Sequence, residues 1–384
     1  MHPELFIIPG LNIAVPSYGA MMMLGFLLAT WLAARRATRL KVNPDIVLNL
    51  GFIILIFSTV GARTFYVIHY WDTQFAHQPG QIFNLRAGGM EFYGGLIGAF
   101  VACCLYLWIK GYSKRLFADI IAPSLLLAMG IGRIGCFLYG CCWGGTCSPE
   151  LPWAVRFPYA SPPMLSHWES RQVTVPARFL FVAPDGSGGP LPPALLRLDK
   201  DMLRGTIQEA EKRAREARDS GDPDRTREAE AQYRKIEQVL GPLLAHYESF
   251  DTTPAELAEQ AQAASLHSLH VHPAQLYSAV GPILLAWLTG AYLYRRRRHG
   301  MVMVLGMALY AVERFIEEVI RVDNPQDTFG LTASQAVSVG ILLIAVAAYF
   351  ILQRQPLRSP RVEKSRPTPV VATAPAPSAD ASTG

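Results

Sequence analysis

Hydrophobic residues in this chain fall into long runs that are separated by short polar connections. Three runs contain no charged residue: Ile13–Ala34, Pro273–Tyr294 and Leu331–Leu352. Four more carry one or more ionisable residues: Ile46–Tyr70, Gly88–Ile109, Leu116–Phe137 and Gly300–Ile320. A helix needs about 20 predominantly apolar residues to cross the roughly 30 Å hydrocarbon layer of a bilayer. The pattern therefore predicts an all-α, polytopic membrane protein with about seven transmembrane helices.

Lysine and arginine concentrate in every second connection between the predicted spans. Basic clusters follow the first, third and fifth spans, at 35–41, 110–115 and 295–298, and further basic residues follow the last span. The two short alternate connections hold few basic residues, with Arg86 alone between Trp71 and Ala87 and none between Asn324 and Gly330. Because short cytoplasmic loops collect lysine and arginine, we expect the N-terminus outside and the C-terminus in the cytoplasm.

The composition agrees with a membrane protein, since 51% of the residues are hydrophobic and only 17% are charged. The formal net charge of +5 is explained by the predicted cytoplasmic clusters. It therefore gives no reason to expect a nucleic acid as a partner. The sequence contains no glycine-rich phosphate loop and no base-stacking array.

Between residues 145 and 271 the apolar runs give way to charged and small residues. Two stretches rich in Ala, Glu, Arg and Lys, Leu195–Arg218 and Arg225–Tyr247, flank a turn at Ser220–Asp224 and predict a helical hairpin. Thr253, followed by a proline, predicts the start of a third short helix. The predicted topology places this insert outside the cytoplasm, as a solvated accessory module or a docking site for a partner.

The predicted organisation thus has four parts. Residues 1–144 hold spans one to four, 145–271 form the extracytoplasmic insert with its helical hairpin, 272–352 hold spans five to seven, and 353–384 form a disordered cytoplasmic tail. From Thr368 onward the tail is rich in proline, alanine and threonine. We expect it to be disordered.

Three of the predicted spans contain an arginine within or at the end of an apolar run: Arg63, Arg133 and Arg314. An arginine at the centre of a membrane helix costs roughly 2.5–3.5 kcal/mol by insertion scales. A chain accepts this cost when the guanidinium faces protein, water or an anionic ligand, so the arginines suggest a site that holds a phosphate. The alternative, strongest for Arg63, is a helix-end side chain that reaches for the interface. For Arg314 a salt bridge with Glu318 on the same helix is a further alternative.

Four of the six cysteines crowd the predicted outer end of the fourth span. These are Cys136, Cys141, Cys142 and Cys147. In an oxidising compartment Cys141 or Cys142 could bridge to Cys147 or Cys136, although spacing alone does not decide the pairing. Free thiols are the second alternative. A zinc site is the third, and it is disfavoured because the paired C-x-x-C spacing is absent, so no metal ion is predicted.

Four motifs follow one another along the chain. Residues 88–98 read G-G-M-E-F-Y-G-G-L-I-G, and residues 130–144 read G-I-G-R-I-G-C-F-L-Y-G-C-C-W-G. The third motif, H-P-A-Q-L-Y, occupies His272–Tyr277, and the fourth combines Tyr310, Arg314 and Glu318 at four-residue spacing. As a set and in this order, they resemble the motifs of the prolipoprotein diacylglyceryl transferase family. The resemblance covers nearly all of the membrane part and leaves out the insert.

The resemblance implies an integral enzyme of the bacterial cytoplasmic (inner) membrane. Such an enzyme moves the diacylglyceryl group of phosphatidylglycerol, a membrane lipid, onto the lipobox cysteine thiol of a prolipoprotein signal peptide, without a cofactor. A thioether forms and glycerol phosphate leaves. By resemblance the catalytic residues are Arg133, Arg314, Tyr93, Tyr310 and Glu318. The substrate-binding residues are Arg133, Arg63, Tyr18, Gly94, Gly95, Asp119, Gly144, His272 and Gln275.

In this scheme Arg133 and Arg314 hold the phosphate of the lipid and stabilise the charge of the departing group. A guanidinium suits both tasks, because it is always charged and offers phosphate a bidentate fork. The attacking species is a thiolate, so a positive field or a base must help the thiol to lose its proton.

The chain departs from the family pattern at three positions. Tyr93 stands where the family has histidine, Cys136 where it has asparagine, and Cys141 where it has glutamate. Tyrosine binds its proton far more tightly than histidine, so it is a poor base at neutral pH. Tyr93 would then act by hydrogen bonding, as tyrosinate beside an arginine, or as an interfacial aromatic anchor.

Two other classes of protein stay open at this point. A divergent membrane paralogue could use the same arginines to bind or carry an anionic lipid without this transfer. A structural anchor that presents the insert is the second, but it does not explain why three spans tolerate arginine. The retained arginines favour the transferase.

Overall fold

The computed structural model describes residues 4–8, 13–76, 79–84, 88–182, 188–193, 195–197, 199–219, 223–250, 253–262, 264–319, 321 and 330–366. The tail from residue 367 onward, predicted to be disordered, therefore lies outside the described residues. So does most of the predicted turn at Ser220–Asp224.

Within these ranges the chain is dominated by helices. In chain order they are α1 (Ser17–Arg39), α2 (Pro44–His69), α3 (Phe92–Ile109), α4 (Lys114–Tyr139), α5 (Pro162–Glu169), α6 (Lys200–Asp219), α7 (Pro223–Ser249), α8 (Pro254–Gln260), α9 (Ala274–Leu293), α10 (Met301–Glu317) and α11 (Ala333–Gln353). Among the described residues, α1, α2, α4, α9 and α11 are long and apolar enough to cross a membrane. The other two predicted spans correspond to α3, a shorter apolar helix, and to α10, which has 17 residues. The predicted fold class, an all-α polytopic membrane protein, is confirmed.

The first predicted span is wrong in its first four residues. Strand β2 (Ile13–Pro16) pairs antiparallel with strand β1 (Glu4–Ile8), and α1 begins only at Ser17. The apolar run continues through both elements, so hydrophobicity alone does not mark the boundary between them. The helix instead extends past Ala34 to Arg39.

The chain divides into two compact units. Unit 1 comprises Met1–Met21, Gly132–Ala279 and Phe315–Gln335, and unit 2 comprises Met22–Ile131, Val280–Arg314 and Ala336–Gly384. Each unit has its own buried core.

In unit 2 the core is built from α1, α2, α3 and α4. Its most deeply buried side chains include Ala37, Leu50, Phe117 and Ile120. Helix α2 starts where it does because the side chain of Asn43 accepts a hydrogen bond from the Asp45 backbone N–H at 2.9 Å and Pro44 occupies the first turn.

In unit 1 the insert has a hydrophobic core of its own. It is built from α5 to α8 and a hairpin of strands β3 (Leu180–Val182) and β4 (Gly188–Pro190). Its fully buried side chains include Met164, Phe179, Leu191, Leu243, Tyr247 and Leu257. Helices α6 and α7 pack on each other at the positions of the predicted hairpin. The predicted helix start at Thr253 is also confirmed, since Thr253 and Glu256 form a reciprocal capping box.

The prediction that disorder begins at residue 353 is wrong for its first part. Residues 360–365 form a short 3-10 helix, Ser365 is fully buried, and the Asn43 N–H donates to the Ser365 carbonyl at 2.8 Å. The Arg115 guanidinium also donates to the Pro356 carbonyl at 3.0 Å. These contacts hold the polar segment against the start of α2 and against α4 within unit 2.

Candidate active site

Arg63 lies on α2 in unit 2 and is buried, with 8% of its surface exposed. A guanidinium has five N–H donors. All five are satisfied here by backbone carbonyls of the segment that follows α2, namely those of Gln81, Ile82, Asn84, Gly88 and Gly89, at 2.7–3.2 Å. The expected phosphate contact of Arg63 is therefore wrong in this structure, because no donor is left for a ligand. The interfacial alternative also fails, because the side chain is buried.

Gly94 and Gly95 lie in the first turns of α3, where that helix packs on α2. A Cβ on Gly94 would overlap the carbonyl oxygen of Gly61, and one on Gly95 would lie 3.0 Å from the Ser58 carbonyl oxygen. Small residues allow two membrane helices to approach this closely. In this structure the α-carbons of both glycines face the backbone of α2, so their small size serves helix packing.

Asp119 is fully buried on α4. Its carboxylate accepts hydrogen bonds from the backbone N–H groups of Gly300, Val302 and Met303 at 2.7–3.2 Å, at the start of α10. It also forms an ion pair with Arg296, Nε to Oδ2 2.7 Å. The predicted substrate contact is therefore replaced by a structural role, in which Asp119 caps the N-terminus of a different helix.

Tyr93 is about half exposed, at 54%, at the start of α3. Two residues before it, Glu91 lies with one carboxylate oxygen 2.6 Å from Nδ1 of His69, at the end of α2. The sequence interpretation missed this pair, because the two residues are 22 positions apart and only Glu91 lies within one of the motifs.

Tyr310 and Arg314 lie on α10 in unit 2. Four residues apart, they share one face of the helix. Tyr310 is half-buried and Arg314 is buried, with 9% of its surface exposed.

Arg133 lies near the end of α4 in unit 1 and is half-buried. Gly135, two residues later, packs against the start of α1, where a Cβ would lie 3.3 Å from the Tyr18 Cα. The charge of Arg133 acts on both Tyr18 and Cys142. The structure thus brings together Arg133 and Tyr18, two of the predicted site residues.

The third motif packs directly on the turn that follows α4. Gln275 is fully buried and its side-chain amide donates to the Cys141 carbonyl at 2.7 Å. The Gly144 N–H donates to the His272 carbonyl at 3.0 Å, and a Cβ on Gly144 would lie 2.8 Å from that of His272. His272 Nδ1 lies 3.3 Å from the Tyr277 hydroxyl. Gly144, His272 and Gln275 therefore shape this turn by direct contact.

Glu318 also lies in unit 1, where it contacts Thr332 and Arg321. It is buried and accepts a hydrogen bond from the Thr332 hydroxyl at 3.0 Å. Its other carboxylate oxygen lies 3.8 Å from Nη1 of Arg321, whose side chain is 8% exposed. Arg321 pairs through its backbone with Gly144, and its charge acts on Cys142. Arg321 is not among the site residues predicted from the sequence.

Three of the cysteines converge after α4. The Sγ atoms of Cys136, Cys141 and Cys142 all lie within 4.8 Å of one another. None of the six cysteines, all of which fall in the described ranges, forms a disulfide, so the predicted bridge is absent. Hydrogen bonds from the thiols of Cys136 and Cys141 lower the pKa of Cys142, and the charges of Arg321 and Arg133 act in the same direction. Cys142 is therefore the thiol best suited to lose its proton.

Taken together, the helices and these buried polar groups define a polytopic helical membrane protein with arginine and carboxylate side chains inside its fold. The family model described as prolipoprotein diacylglyceryl transferase matches residues 3–351. The chain belongs to this family, and the predicted resemblance is confirmed.

Curated relatives carry the name phosphatidylglycerol–prolipoprotein diacylglyceryl transferase. The relative from Aeromonas salmonicida (strain A449) is 39% identical over 160 residues, which cover 39% of this chain and 54% of the relative. The relative from Bacillus mycoides (strain KBAB4) is 40% identical over 121 residues, which cover 32% of this chain and 44% of the relative. The chain spans about half the length of the curated relatives it matches.

Proposed function

We propose that this protein transfers the diacylglyceryl group of phosphatidylglycerol to the lipobox cysteine thiol of prolipoproteins. The thiolate sulfur attacks the glyceryl carbon, a carbon–sulfur bond forms, and the bond between that carbon and the phosphate oxygen breaks. Glycerol phosphate leaves and takes up the proton that the thiol has lost. The names of the relatives and the family match support this substrate pair.

The position and charge of Arg133 are the main support for the proposal. It is half-buried near the end of a membrane helix, within the motif that resembles the family signature, and its charge reaches Tyr18 and Cys142. An always-charged guanidinium in a partly dry setting stabilises the developing phosphate charge more strongly than it would in water. Arg314, buried on α10, is proposed as the second phosphate-binding group.

The other proposed site residues contact the substrates or hold neighbouring groups in place. Tyr18 and Tyr310 offer hydroxyls to the headgroup, and Tyr93, exposed at the start of α3, offers a hydroxyl to a substrate. Glu318 orients Arg321. Gly144, His272 and Gln275 hold the turn beside Arg133 in place.

The proposed location is the bacterial inner membrane, with the N-terminus and the insert outside and the C-terminus in the cytoplasm. The distribution of basic residues supports this orientation. Single-cysteine variants of the insert and the 353–366 segment should react with an impermeant thiol reagent from opposite sides of the membrane. Labelling of both from the same side would overturn the orientation.

The function is tested with the purified full chain, phosphatidylglycerol and a lipobox peptide. We expect glycerol phosphate and a peptide heavier by one diacylglyceryl group in equal amounts. A peptide with serine in place of cysteine should give neither product. Phosphatidylglycerol that stays bound without release of glycerol phosphate would instead favour the alternative function, a carrier of anionic lipid. The departures from the family pattern at Tyr93, Cys136 and Cys141 are the reason to test that alternative.

A further inference from the structure

The three converging cysteines are brought together by the way α4 ends. The Gly140 N–H and the Cys141 N–H both donate to the Cys136 carbonyl, at 2.8 and 3.1 Å. Gly140 has φ +91°, a left-handed conformation that glycine adopts readily and that reverses the chain after the helix. The next two side chains therefore fold back toward Cys136 on the last turn of α4.

The arrangement is held in place by its surroundings. The fully buried Gln275 donates to the Cys141 carbonyl at 2.7 Å. Cys142 has φ +58°, a left-handed conformation that is unfavourable for a residue with a side chain. Such strained positions persist when the surrounding structure over-determines them, and they concentrate at functional sites. The surrounding contacts therefore fix the conformation of this turn and hold the three thiols together.

Three thiols at this spacing fit a zinc ion. In a tetrahedral site with Zn–S bonds of about 2.3 Å, the sulfurs lie about 3.8 Å apart. The three sulfurs here lie within 4.8 Å of one another, so a closure of about 1 Å forms the site. Three thiolates and Zn²⁺ carry one net negative charge, and the nearby charges of Arg133 and Arg321 compensate it.

We propose that Cys136, Cys141 and Cys142 bind Zn²⁺ as three thiolates, and that the fourth position takes the cysteine thiol of the prolipoprotein. Catalytic zinc sites keep one position for water or substrate in this way, whereas structural sites are closed by a fourth protein ligand. The role of the fourth position rests on the proposed function; the metal site itself does not.

The zinc site would promote loss of the proton from the substrate thiol, a task for which Tyr93 is a poor base. A metal-bound thiol loses its proton readily and becomes the thiolate that attacks. The sulfur forms a bond to the glyceryl carbon, the carbon–oxygen bond to phosphate breaks, and the proton passes to the departing glycerol phosphate. The zinc ion keeps its charge throughout, so no oxidant or reductant is needed.

The first test is the metal content of the purified full chain, kept reduced and passed through a weak chelator. About one zinc per chain is expected. Cys136→Ser, Cys141→Ser and Cys142→Ser should each lose most of it, whereas Cys147→Ser, a cysteine outside the cluster, should retain it. Metal-free wild-type protein, zinc retained by the three cluster variants, or a disulfide among these cysteines would each overturn the site.

The second test uses only the wild-type protein, so it does not depend on how the variants fold. X-ray absorption at the zinc edge should give three sulfur neighbours at about 2.3 Å, rising to four when a lipobox peptide is added but not when its serine counterpart is. If the zinc keeps three sulfur neighbours after the lipobox peptide is added, the proposal that the substrate thiol takes the fourth position is overturned. Zinc binding without any transfer would contradict the proposed function alone, and full-rate transfer by metal-free protein would contradict only the metal proposal.

Discussion

Asp119 and Arg296 form an ion pair of 2.7 Å between two side chains that are 0% and 5% exposed. The same carboxylate caps the start of α10 through three backbone N–H groups. Asp119 thereby joins α4 to the connection between α9 and α10, which carries one of the basic clusters. Asp119, which the resemblance placed among the substrate-binding residues, is a structural anchor in this structure.

We predict that Asp119→Asn destabilises the protein without a specific effect on the substrate. Removing one partner of a buried ion pair leaves an uncompensated buried charge, at a cost of about 3–5 kcal/mol. Thermal unfolding of the purified protein checks this. Asp45→Asn, at an exposed carboxylate in the first turn of α2, is the matched control and should unfold close to wild type. Equal melting temperatures for both variants would contradict the anchor.

Arg63→Lys should likewise lower stability, because an ammonium has three donors where the guanidinium now satisfies five carbonyls. At least two of these partly buried hydrogen bonds would be lost, at about 0.5–1.5 kcal/mol each. Amide exchange in residues 79–84 should become faster, while KM for phosphatidylglycerol in the folded protein stays unchanged. A stable variant with a raised KM would restore Arg63 to the lipid site.

Gly94→Ala should separate α2 from α3, because the added methyl group would overlap the Gly61 carbonyl oxygen. The oxygen that the methyl group meets belongs to the backbone of α2, so relief requires a shift of a whole helix. Gly340→Ala on α11 is the matched control, since nothing lies within 4 Å of the Cβ it adds. The control should keep or slightly raise the melting temperature, and the first variant should lower it by several degrees. Similar behaviour of the two would argue against close packing at Gly94.

Tyr93→Phe should slow the transfer about tenfold, which is the value of one hydrogen bond of about 1–1.5 kcal/mol. His69→Ala should stay within about twofold of wild type, because metal activation of the thiol needs no histidine base there, and a general base would contribute at least a hundredfold. Steady-state rates at saturating lipid distinguish the two. A large loss in His69→Ala would instead make the His69–Glu91 pair the replacement for the family histidine.

Much of the membrane architecture could be predicted, because a hydrophobic run long enough to span a bilayer leaves few alternatives to a helix. The positions of α2, α4 and α9 follow the predicted spans within a few residues. Boundaries were harder where one apolar run crosses two elements, as at Pro16, where strand β2 gives way to α1.

The roles of individual polar residues depended on partners that the sequence does not reveal. Arg63 donates hydrogen bonds to backbone carbonyl oxygens. Because every residue has such an oxygen, no pattern of side chains in the sequence could predict which carbonyls Arg63 binds. Asp119 meets backbone groups 181 to 184 positions away. The three cysteines converge only because the chain turns back at Gly140 and Cys142 accepts a positive φ, whereas the familiar paired zinc spacing is absent.

The central claim is that Arg133 stabilises phosphate during the transfer. It is tested most directly by the amount of diacylglyceryl peptide that Arg133→Ala forms, measured by mass spectrometry beside Arg213→Ala, which changes an exposed arginine on α6. Both variants should insert and fold like wild type. We predict at least a hundredfold lower rate for Arg133→Ala, in line with the loss of one preorganised charge-stabilising group, and an unchanged rate for Arg213→Ala. Wild-type turnover by folded Arg133→Ala would contradict the account.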